Sequence, residues 1–481
     1  MPRKIILFEL NEVPWRIVDD LVARRPDGAL ASMLRRSAQY ETVAADSGHL
    51  SPWKTWPTVH RGVPDDRHLI GDLGQDRAAA DAAYPPVWQL LHERGARVGV
   101  GGSLHSSPPP ADVESYAFYL PDAFAGDDRA HPRTLSAFQA FNLAMTRRSA
   151  RNVDTSISWT RAGRLLARSR ALGIRAATYR ALAAQLAAER RRPERRARRR
   201  TFQAVLAFDV FMAQLSRSRP DFSTFFSNHV ASAMHRYWAA TYPTDYAELA
   251  LDADWASAHA DELPWAMDQA ETMLARLVAF ADANPEYQVW TASSMGQGAT
   301  MAQALETAVY LVDLATFMRR LGMPDGCWEA RPAMLPQTNV VVDGALASTF
   351  ERELRKVHLV DKPLRYRRTD GGFFAMDLGH ANMHTRPTPV RYGGGRHPLP
   401  EFGMKAVEIE DRSGTTAYHV PEGILAVYDP RGMAARTADR PRISTLEIAP
   451  ALLTACGVAP PAYMTRQTIV SPAAPGRTPR R

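Results

Sequence analysis

Residues Lys4 to Leu10 read KIILFEL, an apolar run with one acid in it that gives way at once to Asn11 and Glu12. A short continuous run of this kind suits a strand buried on both faces, as in the middle of a parallel sheet covered by crossover helices. Ligands of open α/β sheets sit beyond the carboxyl ends of such strands, so a site is expected at the Asn11 end of this one. The following segments keep to that plan. Pro14 opens a helix to Arg24, Tyr84 to Arg94 makes another that stops at Gly95, and Arg97 to Val100 reads as a strand.

At 481 residues a single core is not expected to grow alone, so the α/β domain should carry insertions. The core is read in three parts, 1–105, 219–322 and 401–463. Within the second part, Asp221–Ser227 and Gln288–Ala292 are strands around a helical stretch, Asp252–Asn284. In the third, Val407–Ile409 and Ile424–Tyr428 are strands and Ile443–Cys456 a helix. Between the parts, 106–218 is Ala/Arg/Leu-rich and reads as a helical insertion, and 323–400, rich in Pro, Gly and aromatics, as a loop-rich one. The end, 464–481, reads as a flexible tail.

The net charge of +8 is concentrated: Glu189–Arg200, ERRRPERRARRR, supplies +6 and leaves +2 for the rest. Arg190 to Arg200 could meet an anionic surface, or form a solvated helix broken at Pro193, which is the commoner fate of a charge run lacking aromatics. No specific nucleic-acid partner is predicted. Cys327 and Cys456 are too few and too far apart for a disulfide framework or a thiolate metal site, which fits a reducing compartment. The N-terminal apolar stretch, Ile5 to Phe8, is too short for a signal peptide, and no stretch reaches the roughly 18 apolar residues of a membrane span. A soluble, cytoplasmic protein is expected.

Three segments could carry chemistry. Ser51–Pro64, SPWKTWPTVHRGVP, offers hydroxyls and Lys54; a Thr that begins a helix can face an anion held at the helix N-terminus, although Thr55 and Thr58 are equally reasonable N-caps. Asn228–Trp238, NHVASAMHRYW, places His229 and His235 after a strand, where they could bind a metal or move protons. Ser413–Pro430 carries His419 on a turn-rich loop. Gly371–His384 and Gly393–His397 have the composition of a substrate lobe or of a glycine-rich connector, with His380 and His384 as further candidates.

In order and context these segments resemble the alkaline phosphatase superfamily, in particular its type I phosphodiesterase/nucleotide pyrophosphatase branch, over most of the chain. The resemblance implies an alkaline-phosphatase-like α/β fold with a mostly parallel central sheet flanked by helices. It places Thr55, in KTWP, as the nucleophile, His235, in HRYW, as a metal ligand and His419, in GTTAYHVPEGIL, as the last metal ligand. TLEIAPALLTACGVAPP resembles the branch's closing helix. The departures concern charge. Asn11 stands where the family has an Asp ligand, Ala231 where it has another, and Ser293-Ser294-Met295-Gly296 where it has Ser-Asp-His-Gly. Two divalent cations against neutral ligands would be uncompensated, so a dinuclear site is not expected. One zinc ion on His235, His419 and His229 is chemically sensible. So is a metal-free site in which histidines act as acid and base while Asn11, Lys54 and the helix N-terminus hold an oxyanion. Asn228 and Ser294 are the substrate-binding candidates. The expected function is hydrolysis or transfer at a phosphoester, such as a phosphodiester, or a sulfoester through Thr55; the alternative is an inactive scaffold that binds an anionic ligand or a partner protein.

Overall fold

The structure is a computed structural model that describes residues 2–148, 159–248, 251–301, 306–359, 362–378, 389–409, 414–432, 439–465 and 468–469. His380, His384 and most of the 464–481 tail lie outside the described residues.

The central sheet has eight strands: β1 Lys4–Leu10, β2 Ser37–Val43, β3 Val98–Gly101, β4 Phe118–Leu120, β5 Phe222–Ser227 and β6 Tyr287–Ala292, with Glu422–Tyr428 and Arg442–Ser444. Their order across the sheet is Arg442–Ser444, β2, Glu422–Tyr428, β6, β1, β5, β3, β4. Glu422–Tyr428 runs antiparallel to β2 and β6, and every other neighbouring pair is parallel. The apolar run of β1 therefore lies where expected, between two parallel neighbours and covered on both faces. Ile6 and Phe8 join a core with Val230 and Leu274, and Ile5 and Leu7 face the other way into a core with Trp56 and Leu452. This period-two division sends each face of one strand under a different layer of helices.

The predicted helical insertion contains Ser136–Arg148, Trp159–Leu172, Ala176–Glu189 and Arg199–Ser218, but its opening residues also contribute β4 to the sheet edge. The last of these helices lies on the core through Asp209, which is 1% exposed and accepts from Arg276 Nη1 at 2.7 Å. The segment read as loop-rich is β-rich instead. It holds two four-stranded sheets and a core of its own that includes Val340, Phe350, Phe374 and Phe402. Its strands are two to six residues long, too short to show period-two patterning in sequence. Val407 belongs to that lobe, in Met404–Glu408 paired with Thr307–Leu311. Ile443–Cys456 divides into the strand Arg442–Ser444 and the helix Ile448–Ala455, joined through a Ser444/Glu447 capping box. Of the tail, Thr468 is tied down by Glu447 and Ile469 is buried. Both cysteines are free thiols. Among the described residues no helix is long and apolar enough to cross a membrane.

Candidate active site

β1 ends at Leu10, and the chain turns through Glu12 with φ of 60°, a left-handed conformation that a side chain with a Cβ rarely takes. That turn aims the Glu12 carboxylate sideways, across the ends of the strands. Two imidazoles meet it there. His235 lies on the helix His229–Thr241 with Nε2 3.0 Å from Glu12 Oε2, and His419 lies on the strand Ala417–Val420 with Nε2 3.4 Å from the same oxygen. Gln297 Nε2 donates to that oxygen as well. Glu12 is 2% exposed.

The tautomers follow from the partners on the far side of each ring. His235 Nδ1 is 2.8 Å from the Ala417 carbonyl and His419 Nδ1 2.8 Å from the Leu50 carbonyl. A carbonyl only accepts, so both Nδ1 atoms carry the proton and both Nε2 atoms face Glu12. Fixing Nδ1–H on a carbonyl while Nε2 points inward is the outer arrangement that orients metal-ligating histidines. Burial disfavours the Glu12 charge, but the His419 and His235 rings outweigh it and hold its carboxyl well below the usual range. Burial likewise opposes charge on His419, and Glu12 reverses this and raises it.

Among the described residues, Glu12, His235 and His419 are the group whose ligand atoms converge closely enough for one cation, all within 4.8 Å of one another. One carboxylate and two imidazoles suit a transition metal such as zinc, and the donor set fits one cation.

His229 is not part of this group. Its Nδ1 bonds to Ser227 Oγ at 2.7 Å and its Nε2 to the Ala266 carbonyl at 3.1 Å, so both ring nitrogens are engaged elsewhere, and burial pushes it down to about 4. Glu12, not His229, supplies the third atom of the converging group. The sequence carries a signal for it, a carboxylate at the end of β1 directly after Asn11, the residue that stands in the family's Asp position.

Of the remaining expected residues, Asn11 touches Glu12 directly and Asn228 touches Asn11. Asn11 Nδ2 donates to Glu12 Oε1 at 2.8 Å and to Asn228 Oδ1 at 2.7 Å, while its Oδ1 accepts from Trp56 Nε1 at 2.7 Å. Both ends of the Asn11 amide are therefore engaged, one N–H on Glu12, the other on Asn228 and the oxygen on Trp56, so no donor of Asn11 is left for an oxyanion. Thr55 Oγ1 lies 2.8 Å from Ser294 Oγ and 3.2 Å from the Ser51 carbonyl. Thr55, Ser294 and Met295 are each 0% exposed. Neither threonine begins the helix: it spans Pro52–Arg61 with Ser51 as N-cap, which puts Thr55 in its first turn and Thr58 in its middle. Lys54 leaves the site, with Nζ on the Ser47 carbonyl at 2.8 Å and on Asp65 at 3.1 Å.

Lys54 instead helps to fasten the loop that presents Leu50. Asp46 of that loop accepts from the Thr58 hydroxyl, which lies 2.9 Å from His68 Nε2. His68 Nδ1 accepts from the Ile70 N–H at 3.0 Å, so Nε2 is the protonated nitrogen and donates to Thr58. Burial, against the pull of Thr58, pushes Asp46 up to about 7, with Asp65 and Lys54 acting in opposite senses. Burial and the Arg61 charge push His68 down to about 3, again with Asp65 and Lys54 opposed. The linkage signs differ. Asp46 has a folded pKa above its unfolded one, so its contribution to stability falls as pH rises from about 4 to about 7. His68 has a folded pKa below its unfolded one, so its contribution rises with pH from about 3 to about 6.5. In urea titrations between those limits Asp46→Asn should gain stability with rising pH relative to wild type, and His68→Gln should lose it. Parallel profiles for all three proteins would refute the assignment.

No protein-family model matches the chain, and no curated protein matches it. Solved structures similar to it include murine ectonucleotide pyrophosphatase/phosphodiesterase 5, at 9% identity and a TM-score of 0.41 over 97% of this chain and 98% of that one. Phosphonoacetate hydrolase from Sinorhizobium meliloti, in complex with phosphonoformate, is similar at 13% identity and a TM-score of 0.42 over 95% and 96% of the two chains. The alkaline phosphatase PafA is similar at 11% identity and a TM-score of 0.44 over 98% and 99%.

Proposed function

We propose that the protein is a divergent alkaline-phosphatase-like hydrolase or transferase of phosphoesters or sulfoesters, with one cation held by Glu12, His235 and His419. The observation that carries this reading is the pair of imidazoles whose Nδ1–H groups are fixed on carbonyls so that both Nε2 atoms face one buried carboxylate. A divalent cation bound there supplies Lewis acidity to a phosphoryl or sulfuryl oxygen. The chain's own residues do the rest. Asn11 and Gln297 hold the carboxylate in place, and the His235 side chain, 27% exposed, marks the side from which an anionic group enters. Thr55 is the proposed attacking hydroxyl, oriented by Ser294, and the first turn of its helix has to part from Ser294 for substrate to reach it.

Elemental analysis of protein purified without added metal or chelator tests the centre. About one equivalent of zinc, lost in His235→Ala and His419→Ala and kept in His229→Ala, is the expected result. A metal-free wild type that takes up no zinc on titration would sink the single-cation reading. Turnover of an aryl phosphodiester by the loaded protein, abolished by Thr55→Ala and partly kept by Thr55→Ser, tests the nucleophile.

A second reading rests on the complete burial of Thr55 and Ser294. On it the scaffold binds an anionic ligand without turnover, and Thr55→Ala leaves ligand affinity unchanged.

A further inference from the structure

The basic run was read from sequence as one block, but the structure redistributes it. Arg198 is held by Glu262 at 2.8 Å, which ties the insertion to the core, and Arg199 by Glu189 at 2.6 Å within the insertion. The charge of the surrounding helices is larger than the run itself. From 133 to 200 there are eighteen arginines, no lysine and three acids, a net +15, which leaves −7 for the remainder of a chain whose total is +8. Of the three acids, Asp154 lies outside the described residues, Glu189 is buried against Arg199, and Glu194 is half-buried.

Among the described residues from 163 to 198, eight arginines are exposed and no carboxylate is. They include Arg168 and Arg180 on successive helices and Arg190, Arg191, Arg192 and Arg196 at the turn that follows. A domain that concentrates positive charge on one insertion while the remainder is negative carries an oriented field rather than a general solubilising charge. Leu166, 58% exposed, stands one turn before the exposed Arg170 in the helix Trp159–Leu172, and residues four apart share a helix face. Exposed leucine among arginines matches the chemistry of a bilayer interface, where guanidinium groups meet lipid phosphates and an apolar side chain enters the acyl boundary. Among the described residues of this surface no large aromatic is exposed, so stacking on unpaired bases has no platform here.

We infer that the helical insertion is a peripheral docking surface for an anionic phospholipid bilayer, with the exposed arginines on the headgroup phosphates and Leu166 in the interface. The inference does not depend on the metal centre.

The test is co-sedimentation of the full chain with vesicles of phosphatidylcholine containing about one-third phosphatidylglycerol, and with phosphatidylcholine alone, at about 50 mM and about 200 mM salt. The wild type should sediment with the anionic vesicles at low salt and be released at high salt. The variant R190Q/R191Q/R192Q/R196Q, checked for wild-type circular dichroism and melting, should lose on the order of a hundredfold in partitioning. Leu166→Gln, which keeps every charge, should weaken vesicle binding and leave binding to duplex DNA unchanged. The inference falls if the wild type stays in the supernatant at low salt, or sediments equally with neutral vesicles. It also falls if the folded quadruple variant binds like wild type, or if duplex DNA is bound more tightly than the vesicles and Leu166→Gln changes neither.

Discussion

Glu12→Gln should lower zinc affinity by at least about a hundredfold while leaving the fold in place, because it removes the one carboxylate of the triad without changing its shape. In the metal-free protein the same change should cost about 3 kcal/mol, since it leaves His419 facing a neutral amide in a buried setting. Two controls separate charge from packing. Glu12→Asp keeps the charge but draws it back by one methylene, and should recover part of the stability and little of the metal affinity. Asn11→Asp returns a carboxylate to the preceding position, but Asn11 Nδ2 donates to Glu12 Oε1, so two carboxylates would then face each other and the metal-free protein should be destabilised. Competition with a chromophoric chelator gives the affinities and urea melts the stabilities. Zinc affinity in Glu12→Gln equal to that of wild type would remove Glu12 from the centre and return attention to His229.

How far the sequence could be read differs between fold and site for a physical reason. The strand Lys4–Leu10 was legible because burial on both faces leaves a continuous apolar run, and the group Glu12, His235 and His419 converges just beyond its carboxyl end. His235 and His419 each sit in a local motif, and the structure brings the two rings together. The approach of Glu12 to them has no local signature, because its carboxylate, on a residue with φ of 60°, meets rings more than 200 residues away. Lys54 was misplaced for a related reason. A lysine beside a candidate nucleophile suggests oxyanion binding, whereas Asp65, eleven positions on, draws it into the loop anchor. The β-rich lobe was missed because its strands pair across loops and are individually too short to carry a period.

Gly296→Ala should be among the most destabilising single-methyl additions in this protein. The segment Ser293-Ser294-Met295-Gly296 lacks the acid and the imidazole of the pattern it resembles and keeps its glycine. The structure gives that glycine a steric reason independent of any ligand. A Cβ at Gly296 would lie 2.1 Å from the Glu422 carbonyl oxygen and 3.1 Å from Pro14 Cβ. The nearest obstacle is backbone, so no rotamer change relieves it, and the strands must separate. Glu422 opens the strand that pairs with both β2 and β6, and Gly296 opens the short strand Gly296–Ala299, whose Gln297 donates to Glu12 and whose partner strand carries His419. Overpacking of this kind costs about 3 kcal/mol where it cannot be relieved. Because the displaced strands carry Gln297 and His419, zinc affinity should fall together with the melting temperature. That coupling distinguishes the site from a merely well-packed glycine. Gly298→Ala, whose Cβ would meet only the Cγ1 methyl of Val420 at 3.2 Å and no backbone, should cost far less, and a Gly296→Ala protein with wild-type stability would show that the two strands are free to move apart.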